Sequence, residues 1–144
     1  MNEHLVILRP RYLNLIITGK KDVECRASRF KRVPYLRVRR GDRLWFKKTS
    51  GCVTCTSRVV WVKELHITKR QQLEELRTLW QDRIQAADSF WRTASAKHYW
   101  TLLGLGRIRR CKPFSVQKRD RRGWVVLNSS EQWWPADRPE PPRR

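Results

Sequence analysis

The sequence predicts an α+β fold built around a small β-barrel. Short apolar runs bounded by turn residues recur along most of the chain. One amphipathic helical segment stands near the start, and a helical insert interrupts the strands in the middle. Closing the sheet would also remove the hazard of long exposed edges. With 144 residues the chain has the length of one domain and can bury a real core. We expect that domain over residues 1–130 and a Pro/Arg-rich tail over 131–144.

Taken in order, His4 to Arg9 contains Leu5-Val6-Ile7-Leu8, a continuous apolar run that reads as a buried strand. Pro10 suits the first position of a helix, and Leu13, Ile16 and Ile17 then share one helical face. Gly19 is the stop, because it adopts a left-handed conformation without a Cβ penalty. Asp22 to Ala27 is the second strand. Ser28 to Arg40 is basic and irregular around Pro34, and Gly41-Asp42 turns the chain into the aromatic strand Arg43 to Lys47. After Thr49-Ser50-Gly51, Cys52 to Leu65 reads as one long or bulged strand rich in β-branched residues.

Thr68 and Gln71 have the spacing of a capping box. Behind them Leu73, Leu76, Trp80 and Ile84 recur at helical intervals, which predicts a helix from about Lys69 to Ala86. Asp88 is read as the cap of a second helix through Phe90, Trp91, Ala94 and His98 up to Gly104. Arg107 to Ser115 and Gly123 to Asn128 are the last strands. Past Glu131, four prolines and two terminal arginines describe a segment that does not fold alone.

Lysine and arginine number 33 against 13 acidic residues, a formal net charge of +20. Such a surplus concerns partners rather than fold, with nucleic acid ahead of an anionic membrane. No apolar run approaches the ~18 residues of a membrane-spanning helix, so no membrane partner is expected. Met1-Asn2-Glu3-His4 lacks the layout of a signal peptide, and a cytoplasmic protein with reduced cysteines is the expectation. The charge is concentrated. Arg26 to Lys48 holds ten basic residues and one acid, and Arg107 to Arg122 eight and one. Two such blocks around a balanced middle predict one basic face built from both ends of the chain.

Within this frame, Gly19-x-Lys21-x-x-Glu24-x-Arg26 resembles the GxKxxExR signature of the ASCH domain family. Leu5 to Pro10 and Tyr12-Leu13-x-x-Ile16 before it, and Gly41-Asp42-Arg43-Leu44-Trp45-Phe46-Lys47 after it, agree with that family. The resemblance runs from about Leu5 to Leu127. It implies a PUA-like barrel with a cleft beside the first helix, lined by the motif residues. Relatives are associated with RNA binding, some with ribonuclease activity, and one branch with amide hydrolysis on an acetylated cytidine nucleoside. That branch has threonine where Glu24 stands here, which argues against the hydrolase.

Two readings of Lys21, Glu24 and Arg26 follow. In one they form an ion pair network tying the helix end to the sheet. In the other Lys21 and Arg26 grip a phosphate or base edge while Glu24 orients them. The family fold places Lys47 and Lys48 beside the motif, as phosphate contacts. Arg107, Arg109, Arg110 and Lys118 are the candidates from the second block. If the protein is an enzyme, Lys21, Glu24, Tyr12 and Ser115 are the candidate catalytic groups of a ribonuclease. A protein-interaction domain is the remaining reading.

Trp45, Trp61 and Trp124 lie on strands and can face either the barrel or the cleft, whereas Trp133-Trp134 can staple the tail or serve a partner. Cys52 and Cys55 are three apart on a strand and point to opposite faces, so neither a metal site nor a cofactor is expected. The expected partner is RNA, with DNA second.

Overall fold

The computed structural model describes residues 1–118, 120–127 and 133–141. In chain order the elements are β1 (Glu3–Leu8), α1 (Pro10–Ile17), β2 (Val23–Ser28), β3 (Arg43–Lys48), β4 (Val53–His66), α2 (Arg70–Ile84) and α3 (Asp88–Arg92). A single 3₁₀ turn (Ala94–Ala96) leads to β5 (Tyr99–Leu105), β6 (Arg109–Phe114) and β7 (Trp124–Leu127). The strands form one sheet in the order β2-β5-β4-β3-β1-β7, with β6 also paired to β4. Among the described residues, β1 and β3 are the one parallel pair.

The barrel-like curvature comes from β4. Its first half pairs with β3 and β6 and its second half with β5, and the register shifts between Val59 and Trp61. A bulge of this kind bends a strand and lets it serve two directions of the sheet. Among the described residues the sheet does not close by backbone pairing, because β2 and β7 stand at its two ends.

Three apolar clusters hold the elements. The inner one joins Val6 and Leu8 to Leu13 and Ile16 of α1, Leu44, Phe46, Leu103 and Trp124. A second lies under α2, where Val23, Cys25, Leu76, Ile84, Trp91, Trp100 and Leu102 meet. The third covers the outer face of β1, β3 and β7, with Leu5, Trp45, Val53, Val125 and Leu127 beneath Phe114, Trp133 and Trp134. Trp45 therefore faces neither barrel nor cleft. Trp134 packs edge-on to Trp45 and Phe114, and Arg138 reaches Glu3 at 3.2 Å, so residues 133–141 lie along this face. Residues 131, 132 and 142–144 of the expected tail, Arg119 of the second basic block and Asn128 at the end of the last strand lie outside the described residues.

Two local expectations need correction. The helix expected to run from Asp88 to Gly104 ends at Arg92, and Tyr99–Leu105 is a strand. That strand lies between β2 and β4, and six of its seven residues are buried. Gly104, read as a helix stop, is a strand residue across which Trp61 lies flat: a Cβ there would meet the indole at 2.1 Å. The α2 cap is also shifted. Gln72, not Gln71, accepts from the Thr68 and Lys69 amides at 3.0 Å. Lys69 occupies the N-cap and has no acceptor to return the bond, so only half of the box exists.

Candidate functional site

The helix stop positions the motif. Gly19 takes φ +80° after α1, and the Lys21 amide bonds back to the Leu15 carbonyl at 2.9 Å. This leaves Lys21 just before β2 rather than on it, with its side chain turned under the sheet end and 3% exposed. Its ammonium donates to the carbonyls of Val23 (2.9 Å) and Ile84, and Glu24 Oε1 lies 3.4 Å away. Ile84 ends α2, where carbonyls lack helical partners and a cation is favoured. Lys21 therefore ties the α2 C-terminus to β2.

Glu24 is as buried as Lys21. Its Oε1 accepts from the Cys25 amide at 2.9 Å, and Oε2 lies 3.4 Å from Arg26 Nη2. Burial by itself would raise its carboxyl, but the Lys21 ammonium, the Arg26 guanidinium and the Cys25 N–H outweigh it and hold it below the usual range. Arg26 extends further. Nη2 donates to the Ile7 carbonyl at 3.0 Å and Nη1 to the Gly123 carbonyl at 3.4 Å, with the guanidinium over the Trp124 ring. Arg26 thus bridges β2 to β1 and the start of β7, across the opening of the sheet. Cys25, between Glu24 and Arg26 on the strand, also lines the cleft described below, and burial pushes its thiol up to about 12.

Above this network lies a cleft of about 260 Å³. Ile7, Leu8, Ile84, Ala86 and Phe90 give it an apolar wall, and Lys21, Glu24 and Arg26 its polar end. Tyr12 borders it, with the hydroxyl accepting from the Ala87 amide at 3.2 Å. Lys21, Glu24, Arg26 and Tyr12 thus lie around one cleft.

The remaining candidates divide between two places. Lys47, Ser115 and Lys118 line a groove of about 930 Å³ next to the cleft, with Thr49, Ser50, Arg121 and Arg122. Burial and the nearby Lys118 ammonium lower the Lys47 pKa. Lys118 and Arg122 both pair with Asp120, at 2.6 and 2.8 Å. Lys48 is exposed at the turn and packs over Gly51. Arg107 and Arg109 lie elsewhere, around a depression shared with Arg43 and Arg58 at the opposite end of β3. Arg110 follows on β6, exposed. The two blocks meet at both places, Lys47 with Lys118 in the groove and Arg43 with Arg107 and Arg109 in the depression, so they make two separate basic areas and not the one face expected.

Sequence reasoning missed Arg9, which lines both cleft and groove. Its only signal was its place between the first strand and Pro10. Gly123 was read as a strand start, yet its carbonyl serves Arg26 and the Ile7 amide. A further depression of about 480 Å³, between α2 and residues 91–98, mixes Arg70, Glu74 and Arg77 and lies away from the motif. Among the described residues no cluster of histidine, cysteine and carboxylate groups suits a metal ion, and no helix is long and apolar enough to cross a membrane.

The architecture has solved counterparts. A crystal structure of ASCH from Zymomonas mobilis superposes with a TM-score of 0.68 over 88% of each chain, at 16% identity. A mutant form of that protein gives 0.69, covering 90% of this chain and 92% of the other, also at 16% identity. At that identity the likeness speaks for the fold alone. No curated protein matches the sequence. The family model described as ASCH domain matches residues 6–135, nearly the whole chain, including the motif, the second half of β1 and strands β2 to β7. The chain belongs to the ASCH domain family.

Proposed function

We propose that the protein binds single-stranded RNA, holding one base in the motif cleft and running the neighbouring phosphates along the groove. One observation carries this reading: the apolar cleft opens directly into a cationic groove, with Ile7 and Arg9 lining both. A flat ring fits against the apolar wall formed with Phe90, and the edge of that ring meets the Glu24–Arg26 end. Arg9, Lys47, Lys118 and Arg121 then follow the backbone. A base must leave its stack to enter such a cleft, which favours a single strand over a duplex. The association of the family with RNA favours RNA over DNA.

The arrangement supports binding before catalysis. The three protons of the Lys21 ammonium face three protein acceptors, and the Tyr12 hydroxyl is engaged by Ala87 N–H. Ser115 stands in the groove, not in the cleft. Lys21 and Glu24 are read here as the support of the cleft floor, and Arg9, Arg26, Lys47 and Lys118 as the groups that meet RNA.

Fluorescence anisotropy with labelled hexauridylate tests the reading. The double substitution Arg9→Ala, Lys47→Ala is expected to weaken binding by about tenfold or more, the scale of two lost charge-assisted bonds. Arg107→Ala with Arg109→Ala should leave it nearly unchanged. A deoxyribo hexamer should bind less tightly than the ribo hexamer. Equal losses from the two double variants, or no binding by the wild type, would refute the proposal.

A further inference from the structure

The basic turn after β2 lines neither the cleft nor the groove, yet it carries an aromatic side chain, Phe30, in the open. Between Arg29 and Arg40 there are six basic residues and no acid. Phe30 is 56% exposed, and the guanidiniums of Arg29 and Arg32 lie 5.5 and 5.8 Å from its ring centre. Val33 and Leu36 are exposed beside it. The turn is not loose. Tyr35 N–H and Arg37 N–H bond to the Arg32 and Pro34 carbonyls at 2.9 Å, and Leu36 N–H donates to Glu64 Oε1 at 3.1 Å.

Between this turn and β7 lies a slot of about 180 Å³, bounded by Arg32, Tyr35, Tyr99, Trp124 and Arg26. Its aromatic wall is braced. Tyr35 meets Tyr99 edge-on at 5.2 Å, and His66 stacks on Tyr99 at 4.8 Å. The volume is below the ~300 Å³ at which drug-sized pockets begin, so the slot accommodates one ring system. Arg26 is a wall of this slot and of the motif cleft alike. A ligand crossing from one to the other passes over its guanidinium.

We propose that this turn and slot form a second nucleotide subsite for the same RNA strand, resting on the RNA-binding reading above. One base enters the slot against Tyr35, and the next stacks on Phe30. Arg29 and Arg32 leave the Phe30 ring for the flanking phosphates, with Lys31 beside them. Two observations select nucleic acid as the occupant: the turn has cations without a single acid, and its slot continues the cleft through Arg26. A bilayer surface would meet the exposed turn but could not follow the slot to Arg26. Aromatic platforms set among cations suit single strands of any sequence, because each base offers a flat face.

The experiment compares the full chain with Phe30→Ala and Phe30→Trp on a labelled dodecauridylate. Phe30 is exposed and belongs to none of the three apolar clusters among the described residues, so its removal should leave the fold intact. Phe30→Ala should weaken binding by roughly 5-fold to 150-fold, the measured range for one stacked base. Phe30→Trp should retain it. An abasic dodecamer keeps the phosphates and lacks the bases, and should not distinguish wild type from Phe30→Ala. If dodecauridylate binds and depends on Arg9 and Lys47 but not on Phe30, the subsite is overturned while the RNA reading stands. No binding of RNA at all overturns both. Capture on phosphatidylserine vesicles that needs Phe30, with RNA binding unaffected, overturns the subsite in favour of a membrane contact.

Discussion

His4 shows how much one buried side chain can organise. It is fully buried, its Nε2 lies 2.8 Å from Asp42 Oδ2, and its Nδ1 lies 3.1 Å from the Trp124 indole nitrogen. An indole N–H only donates, so Nδ1 must accept and the proton must sit on Nε2, pointing at Asp42. A second proton would set two N–H groups against each other. Burial accordingly lowers the His4 pKa, although the Asp42 carboxylate opposes this. The unfolded chain binds that proton from about pH 6.5 downward, and the folded one only at lower pH. Stability from this residue is therefore complete above pH 6.5 and is lost as the pH falls below it. Urea midpoints should drop between pH 7.5 and 5.5. His4→Gln should cost about 1–3 kcal/mol at pH 7.5 through the orphaned indole N–H, and flatten the profile across that window. An unchanged slope in the variant would assign the titration to another group. Nothing in the sequence announced this pair, since His4 and Asp42 are joined only when β1 lies beside β3.

At the scale of elements, what could be read in the sequence was what repeats locally. The strand before Pro10, the α1 face and the stop at Gly19 all follow from neighbours within eight residues, and all stand in the structure. The strand Tyr99–Leu105, which contains Gly104, was misread for a physical reason. A fully buried strand is apolar on both faces, so Trp100 to Leu103 has no alternation to separate it from a helix. The motif was legible as a set, whereas its use of Ile84, Ile7 and Gly123 was not, because those contacts depend on tertiary placement. Arg26 belongs to this scale: its side chain spans the gap between the two ends of the sheet, where no backbone ladder runs. Arg26→Met should destabilise by about 2 kcal/mol, with two carbonyls losing a donor and Glu24 losing a cation. Arg26→Lys should recover less than half, since a single ammonium cannot fork to both strands. Amide exchange at Trp124–Leu127 should quicken in both variants while the α2 amides keep their rates. Uniform acceleration through the chain would mean that Arg26 supports the fold generally rather than closing the sheet.

Over the whole molecule, the sign of the charge was legible and its geography was not. β6 runs antiparallel to β4, setting Arg109 opposite Thr56 and Phe114 opposite Val53. The second basic block is thereby drawn along the sheet, with Arg107 and Arg109 at one end and Lys118 to Arg122 at the other. Lys47 and Arg43 are separated in the same way, four residues or about 13 Å apart on β3. Only one end adjoins the cleft, and this makes a quantitative expectation. Arg9, Lys47, Lys118, Arg121 and Arg122 are five cations along the groove. Hexauridylate has five internal phosphates, so log K should fall with log salt at a slope of about −3.5. A dodecamer that also reaches Arg29, Lys31 and Arg32 should steepen it to about −5.6. Substituting Arg9, Lys47 and Arg121 by alanine leaves two contacts for the hexamer and should flatten its slope to about −1.4, whereas alanine at Arg107, Arg109 and Arg110 should leave it near −3.5. Asp120 competes with phosphate for Lys118 and Arg122, so Asp120→Asn should tighten hexamer binding without changing the number of contacts. Equal slopes for hexamer and dodecamer would confine RNA to the groove, and a slope that responds to Arg107, Arg109 and Arg110 would place the strand at the other end of the sheet.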